Sequence, residues 1–335
     1  MNTQISVIIP VYNCVNYLQK CLDSILSQKN VSIEVILIND GSTDGSEKIA
    51  TDYAKKDTRI TLINQENRGA AAARQVGIDK SIGEYITFVD ADDSLPINAL
   101  HYLYANSEQC DMVVGHVCLC YPDGITKIVG SKPQLYDKIS YTKALLLTDI
   151  CVSPYSRITK RTLFDNNTSN IPSKIKIGED LIMNIRLGVK VNKCKGIDKV
   201  VYNYNKEVEN SITQSNKTEL PALKKWVSEV IQPLIDSNLM DICKNEIVWL
   251  KAIQILKVLN SQYTIDTNDE LVKETSNEVR HLKWSIKNSR IKLYFFLLRK
   301  SLLSKHTIKL LKFLQKSIHW WFRLFGHKQY TTSSV

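Results

Sequence analysis

The chain has 335 residues, of which 44% are hydrophobic and 23% charged, with a formal net charge of +10. That size suits one substantial α/β domain plus an appendage, and the composition excludes global disorder. The 8 cysteines are scattered without a CxxC pair. This argues against a zinc or thioredoxin-type motif and points to reduced thiols in a cytosolic protein.

Residues 5–10 form a β-rich run. No basic stretch precedes it and Pro10 ends it, so it reads as a first strand rather than a leader. Residues 16–28 carry Tyr17, Leu18, Leu22, Ile25 and Leu26 at helical spacing. Residues 33–38 are a second apolar run, closed by the turn signal Asn39-Asp40-Gly41. Asp44 or Ser46 is the expected cap of a helix reaching about Lys55. A third strand is expected over 60–63, a helix over 70–78 and a fourth strand over 85–89. This alternation means a mainly parallel sheet with helices on both faces. Ligands of such sheets bind at the carboxyl ends of the strands.

Further along, a helix is expected over 96–107, a strand over Met112–Cys120, turns over 122–135 and an apolar strand over 199–204. From about residue 216 the pattern is helical. Lys or Arg interrupts every apolar stretch before it reaches membrane-spanning length.

The charge is unevenly placed. From residue 279 onward there are 13 Lys and Arg and no Asp or Glu, whereas the first 278 residues hold 31 basic against 34 acidic residues. Ile291, Phe295, Leu298, Leu302, Leu311, Leu314, Ile318, Trp321 and Phe325 recur there at near-helical spacing among lysines and arginines. A basic amphipathic segment with tryptophans reads as a helix lying on an anionic membrane surface. The bland alternative is a helix packed on the rest of the chain. No nucleic-acid-binding module accompanies the charge.

Four polar motifs sit at expected strand ends or helix starts. Asp90-Ala91-Asp92-Asp93 follows the fourth strand. Three carboxylates in four positions repel one another unless neutralised, and oxygen ligands suit a hard cation, Mn2+ or Mg2+, that also bridges phosphates. The alternative is a solvated acidic turn capping the next helix through Asp92, Asp93 or Ser94. Asp40 and Gly41 open a turn where a carboxylate can accept from a base or ribose; an ordinary turn is the competing reading. Asn67-Arg68-Gly69 leads to Ala70-Ala71-Ala72-Ala73-Arg74, small residues that admit a phosphate or ribose beside a guanidinium fork. Gly178-Glu179-Asp180 precedes an apolar helix and offers Asp180 as a general base, or merely a helix start with favourable charge. GxGxxG and GxxxxGK[ST] are both missing, which disfavours a Rossmann dinucleotide site and a P-loop.

Taken together, Ile8-Ile9-Pro10-Val11-Tyr12-Asn13, the turn at Asn39, Asn67-Arg68-Gly69 with Arg74, Phe88-Val89-Asp90-Ala91-Asp92-Asp93 and Glu179-Asp180 resemble the family 2 glycosyltransferases of GT-A fold. Tyr202-Asn203-Tyr204 and Asn210-Ser211-Ile212-Thr213 add a weaker late element. The resemblance covers roughly residues 4–215. It implies a catalytic domain over 1–215, followed by a helical extension over 216–280 and the basic tail over 281–335. It implies metal-dependent, inverting transfer of a hexosyl group from a nucleotide-diphosphate sugar, UDP by family habit, to a hydroxyl of a cell-surface or lipid-linked glycan. It places Pro10, Tyr12, Asn13 and Asp40 around the base and ribose and Arg74 near the base or diphosphate. Asp90, Ala91 and Asp92 fall at the DXD site, with Asp92 the firmer metal ligand and Asp90 the second. Asp180, with Glu179 beside it, is the expected acceptor base, and Ser211 and Thr213 lie in a late loop over the diphosphate. The implied location is cytoplasmic, peripheral on the inner face of the membrane.

Two positions depart from the family pattern: Gln75 where Asn commonly follows the Arg, and Arg157 where relatives often have Lys. Two other functions stay open at this point. A sugar-nucleotide-binding protein without turnover would share the fold. A nucleotidyltransferase would want a Gly-rich basic loop after the first strand, which Val11-Tyr12-Asn13-Cys14 is not.

Overall fold

The computed structural model describes residues 3–172, 175, 178–206, 220–262, 265–282 and 292–296. These residues fall into two compact units, one within 1–216 and 224–247, the other within 217–223 and 248–335.

The first unit is built on a nine-stranded sheet of order β3-β2-β1-β4-β8-β5-β9-β7, with β6 paired to β5. Its strands are β1 (Ile5–Val11), β2 (Ile33–Asp40), β3 (Ile60–Gln65), β4 (Tyr85–Phe88), β5 (Met112–Cys120), β6 (Thr126–Val129), β7 (Leu135–Asp137), β8 (Arg157–Lys160) and β9 (Lys193–Asn205). Strands β1 to β4 are all parallel neighbours. Beyond β4 the sheet turns mixed, with β8 antiparallel to both β4 and β5, and β9 parallel to β5.

Helices α1 (Leu18–Leu26), α2 (Ser46–Lys56) and α3 (Ala70–Lys80) cross between the parallel strands. The strand alternation sets the two faces. Ile5, Val7, Ile9 and Val11 of β1 join Val35 and Leu37 in one buried cluster, with Leu18, Leu22 and Ile25 of α1. Ile8, Ile36 and Ile38 point the other way and pack with Ala73 and Ile78 of α3. Gly77 makes that second contact close: a Cβ there would lie 2.3 Å from Ile8 Cγ2. Helix α3 therefore lies directly on β1, which brings Arg74, one turn earlier, over the ends of β1 and β4.

The strand order reverses between β1 and β4, since the chain runs β1-β2-β3 outward on one side and returns with β4 on the other. This is a topological switch point, and the crevice beyond the carboxyl ends of β1 and β4 is where open α/β sheets hold ligands.

The remaining helices of this unit include α4 (Ala99–Ala105), α5 (Lys138–Leu146) and α6 (Glu179–Gly188). Helix α7 (Leu220–Asp236) and helix α8 (Lys244–Gln262) follow, then α9 (Glu270–Glu278). In the second unit Lys251 Nζ pairs with Glu278 Oε2 at 2.5 Å. Residues 292–296 form a helical turn that buries Tyr294 and Phe295 and exposes Leu293 and Phe296. Most of the basic tail lies outside the described residues. No helix among the described residues is long and apolar enough to cross a membrane.

Several boundaries differ from the sequence reading. Helix α4 starts at Ala99 rather than Pro96, because Asn98 takes a left-handed conformation at φ 60°. Strand β9 begins six residues before the expected Lys199, and its pairing with β5 shifts register around His116. The expected turn region 122–135 contains the short, mostly exposed β6.

Candidate active site

The loop after β4 carries Asp90, Ala91, Asp92 and Asp93. It does not cap a helix, since α4 begins at Ala99. The loop is instead tied to β9. Ser94 and Asn203 exchange backbone hydrogen bonds. The Tyr202 hydroxyl donates to Asp93 Oδ2 at 2.6 Å and accepts from the Asp90 backbone N–H at 3.0 Å. The Asn205 N–H donates to Asp93 Oδ1 at 2.7 Å. Asp93 is thus the buried anchor of the turn. Burial, reinforced by repulsion from Asp90 and Asp92, pushes its carboxyl up to about 8.

Asp93 is committed inward, whereas Asp90 and Asp92 stay half-buried at the end of β4. Asp90 Oδ1 accepts from Arg74 Nη2 at 3.0 Å. Arg74 Nη1 reaches Asp180 Oδ1 at 3.4 Å. One guanidinium therefore joins carboxylates ninety residues apart, from the end of β4 and the first turn of α6. Arg74 itself is only 7% exposed at the side chain, and its Nε finds no acceptor among the described residues. Burial alone would lower the guanidinium, but the Asp90 and Asp180 charges outweigh it and hold it above its ordinary value. At Asp180 the balance runs the other way. Burial, with help from Glu179 and Asp90, exceeds the attraction of Arg74 and raises the carboxyl to about 7. Its side chain keeps 28% exposure, so a substrate hydroxyl can reach it.

Asp92 makes no ion pair among the described residues. Burial and then the Asp90 charge raise its carboxyl to about 6. Such a group is relieved by a cation. No cluster of three His, Cys, Asp or Glu among the described residues is preformed to hold a metal. A hard ion bound through Asp92 and Asp90 would need further oxygens, which diphosphate supplies. The donor set fits Mn2+ or Mg2+ on those terms.

The other motif residues line the same end of the sheet. Asp40, at the end of β2, is buried and accepts from Gln65 Nε2 at 2.7 Å, Arg68 N–H at 2.9 Å and Gly69 N–H at 2.8 Å. Its visible work is to hold the loop that opens α3, with Gly69 at φ 87°. Pro10 is half-buried in β1, Ala91 is buried, and Tyr12 is 50% exposed just past the strand. Asn13, at φ 50°, accepts from Thr43 N–H at 2.8 Å through Oδ1 and donates its own N–H to Ser42 Oγ at 3.2 Å. The β1–α1 and β2–α2 loops are therefore laced together around Tyr12. Asp44 takes part, accepting from Val15 N–H and Ser46. Glu179 is half-buried beside Asp180 and makes no ion pair among the described residues. Ser211 and Thr213 lie outside the described residues.

The departures have structural explanations. Gln75 donates to Asp79 and to the Asp165 carbonyl and accepts from Ser169 N–H, so it fastens residues 165–169 to α3. Arg157 is buried and donates to Tyr141 Oη at 2.7 Å, Asn184 Oδ1 at 3.0 Å, the Ser153 carbonyl at 2.8 Å and the Cys151 carbonyl. Asn184 is one turn beyond Asp180 on α6, and its own amide donates to the Val152 carbonyl. Arg157 thus binds the helix that carries Asp180 to segment 151–153. A lysine, with a single ammonium, could not make this fan of contacts.

Three site-supporting residues escaped the sequence reading: Asn184, Tyr202 as the clasp of Asp93, and Trp226. The Trp226 indole N–H donates to the Gly178 carbonyl at 3.0 Å, and a Cβ on Gly178 would lie 2.5 Å from that nitrogen. Gly178, at φ 83°, is therefore required both by its backbone and by the indole against it.

Residues 6–167 match the model of glycosyl transferase family 2. The chain is 35% identical over 216 residues to glycosyltransferase GlyA of Streptococcus pneumoniae, covering 61% of this chain and 31% of that protein. It is 33% identical over 219 residues to the uncharacterized glycosyltransferase EpsJ of Bacillus subtilis, covering 63% of each. The chain spans under a third of the first relative and under two thirds of the second. Its fold is similar to that of Staphylococcus aureus TarS, residues 1–349, solved in complex with UDP-GlcNAc. The TM-score is 0.65 with 16% identity, over 90% of this chain and 88% of that one.

Proposed function

We propose, starting from the membership of this chain in glycosyltransferase family 2, that it transfers a glycosyl group from a nucleotide-diphosphate sugar to an acceptor hydroxyl. The observation that carries this reading is the convergence of Asp90 and Asp180 on Arg74 at the sheet's switch point. It puts an acidic turn suited to a metal diphosphate beside a carboxylate with a pKa near neutrality.

In this reading Tyr12 and the laced loops around it flank the base and ribose, and Asp92 with Asp90 hold Mn2+ or Mg2+. When bound, the ion would supply the positive charge that offsets the departing diphosphate. Asp180 accepts the proton of the acceptor hydroxyl as that oxygen bonds to the anomeric carbon and the bond to the diphosphate breaks. A single displacement of this kind inverts the anomeric centre. A UDP-sugar is the first donor to test, because the TarS structure of similar fold carries UDP-GlcNAc.

A thermal-shift screen of nucleotide sugars with Mn2+ tests the donor. A ligand at a hundred times its Kd stabilises by about 2.7 kcal/mol, enough for one donor to stand out. Asp92→Ala is expected to remove the Mn2+-dependent part of that stabilisation. An unchanged donor shift in this variant would take the metal away from Asp92.

The acceptor proposed here is a surface or lipid-linked glycan, with the chain held at the cytoplasmic face of a membrane. The support is the 13 basic residues, without an acidic one, from residue 279 onward, each contributing roughly 1 kcal/mol near an anionic surface. The full chain is expected to float with phosphatidylglycerol vesicles and not with phosphatidylcholine alone, and a chain ending at residue 280 to stay behind. Equal flotation of the two chains would remove the tail from membrane binding.

A further inference from the structure

Strand β9 presents Tyr202 and Tyr204 on one face, two residues apart, toward the loop of Asp90 to Asp93. Tyr155 packs on both. Its ring is stacked on Tyr202 at 4.2 Å and 9°, and tilted on Tyr204 at 5.8 Å and 31°. The three rings form a ladder running outward from the acidic turn. The inner two are accounted for. Tyr202 is fully buried with its hydroxyl committed to Asp93, and Tyr155 is 9% exposed.

The outer ring is different. Tyr204 is half-buried, and its hydroxyl has no hydrogen-bond partner among the described residues. The exposed Lys206 lies over the ring, with its Nζ 4.4 Å from the centroid. An exposed cation over an aromatic face is held weakly. The ring also lies within the field of the reacting groups. Burial first, then the charges of Asp93, Asp92, Asp90 and Asp180, push its phenol up to about 12. Its neighbours fix its position, since Asn203 pairs with Ser94 and the Asn205 N–H is held by Asp93 on either side of it.

We propose that Tyr204 is the platform of an acceptor subsite, on which a glycosyl ring of the acceptor stacks with its hydroxyl directed to Asp180. This rests on the transferase reading above. A sugar's C–H face is polarised positive and apolar, so it can take the place of the Lys206 ammonium on the same aromatic face. The displaced Lys206 then stands at the rim, free to meet solvent or acceptor oxygens. A rigid ring buttressed by Tyr155 and Tyr202 gives contact area with little ordering cost. The occupant is accordingly a glycan rather than a lipid alcohol or a protein side chain.

The test measures transfer from the donor selected by thermal shift to methyl and octyl glycosides of common hexoses. Tyr204→Ala is expected to raise the acceptor KM about tenfold, the size of one lost aromatic face, with the donor KM moving less than about twofold. Tyr204→Phe keeps the ring and is expected to stay near the parent value. It also controls for folding, alongside the Tm of each variant. Lys206→Ala is expected to leave the acceptor KM unchanged or lower it. Equal rises in donor and acceptor KM for Tyr204→Ala, or none in either, would overturn the subsite. So would a rise confined to Lys206→Ala, which would mean recognition of an acceptor anion. A donor that binds with no glycoside accepting the sugar would overturn the glycan platform alone. Failure of every nucleotide sugar to bind would bring down the transferase reading and this one with it.

Discussion

Asp180→Asn is expected to lower the transfer rate by roughly a thousandfold while donor binding and stability persist. The substitution removes a charge but little shape. The side-chain oxygen that meets Arg74 Nη1 at 3.4 Å is retained. The carboxyl it replaces has a pKa raised to about 7 by burial, in spite of Arg74, so the folded protein holds its proton more tightly than the unfolded chain does. The linkage sign follows: stability from this group is fully present below the unfolded value, and it is lost as pH rises through about 7. Asparagine should therefore leave the Tm unchanged or raise it at neutral pH. The same raised value dictates the rate profile, because a base works only when unprotonated. Transfer efficiency in the parent should climb with pH up to about 7 and then level. That limb should vanish from the residual activity of the variant. A variant with parental turnover, or one that loses donor binding as well, would take the base role from Asp180.

Much of this arrangement is legible in the sequence because it is local. A strand followed at once by Asp90, Asp92 and Asp93 places carboxylates at a strand end whatever the rest of the chain does. The alternation of periods over residues 5–89 fixes the parallel half of the sheet, and Met112–Cys120 is a strand with the bounds expected of it. What stays hidden is long-range. Asp93 reads as a possible helix cap until Tyr202, more than a hundred residues on, is seen to take its carboxylate. Arg157 reads as a variant residue until Asn184 and the carbonyls of 151 and 153 appear around its guanidinium. Trp226 sits in what looks like a separate helical extension, yet its indole closes on Gly178 at the start of α6. Strand β9 is shortened in the sequence reading because Lys193, Lys195 and Asp198 break its apolar pattern. None of these contacts has a periodicity or spacing that announces it.

Arg74 offers the harsher substitution, because it touches both halves of the site. Arg74→Met keeps the stem that packs against the sheet and deletes the charge. Asp90 and Asp180 would then face one another with no cation between them. Breaking a fully buried pair costs about 3–5 kcal/mol. The two carboxylates here keep 29% and 28% exposure, so water and protonation relieve part of that, and about 2 kcal/mol is the expected loss. The catalytic loss should be larger than this figure implies. Without Arg74 the attraction that opposes burial at Asp180 is gone, so the carboxyl moves above 7 and is more often protonated at neutral pH. The rising limb of the pH profile should therefore shift to higher pH, and part of the lost activity should return there. Arg74→Lys restores a charge but not the fork that reaches both partners from one planar group. It should recover stability more fully than rate. If Arg74→Met instead kept the parental pH limb and turnover, Arg74 would be only a packing cation, and the joining of β4 to α6 through it would have no part in the chemistry.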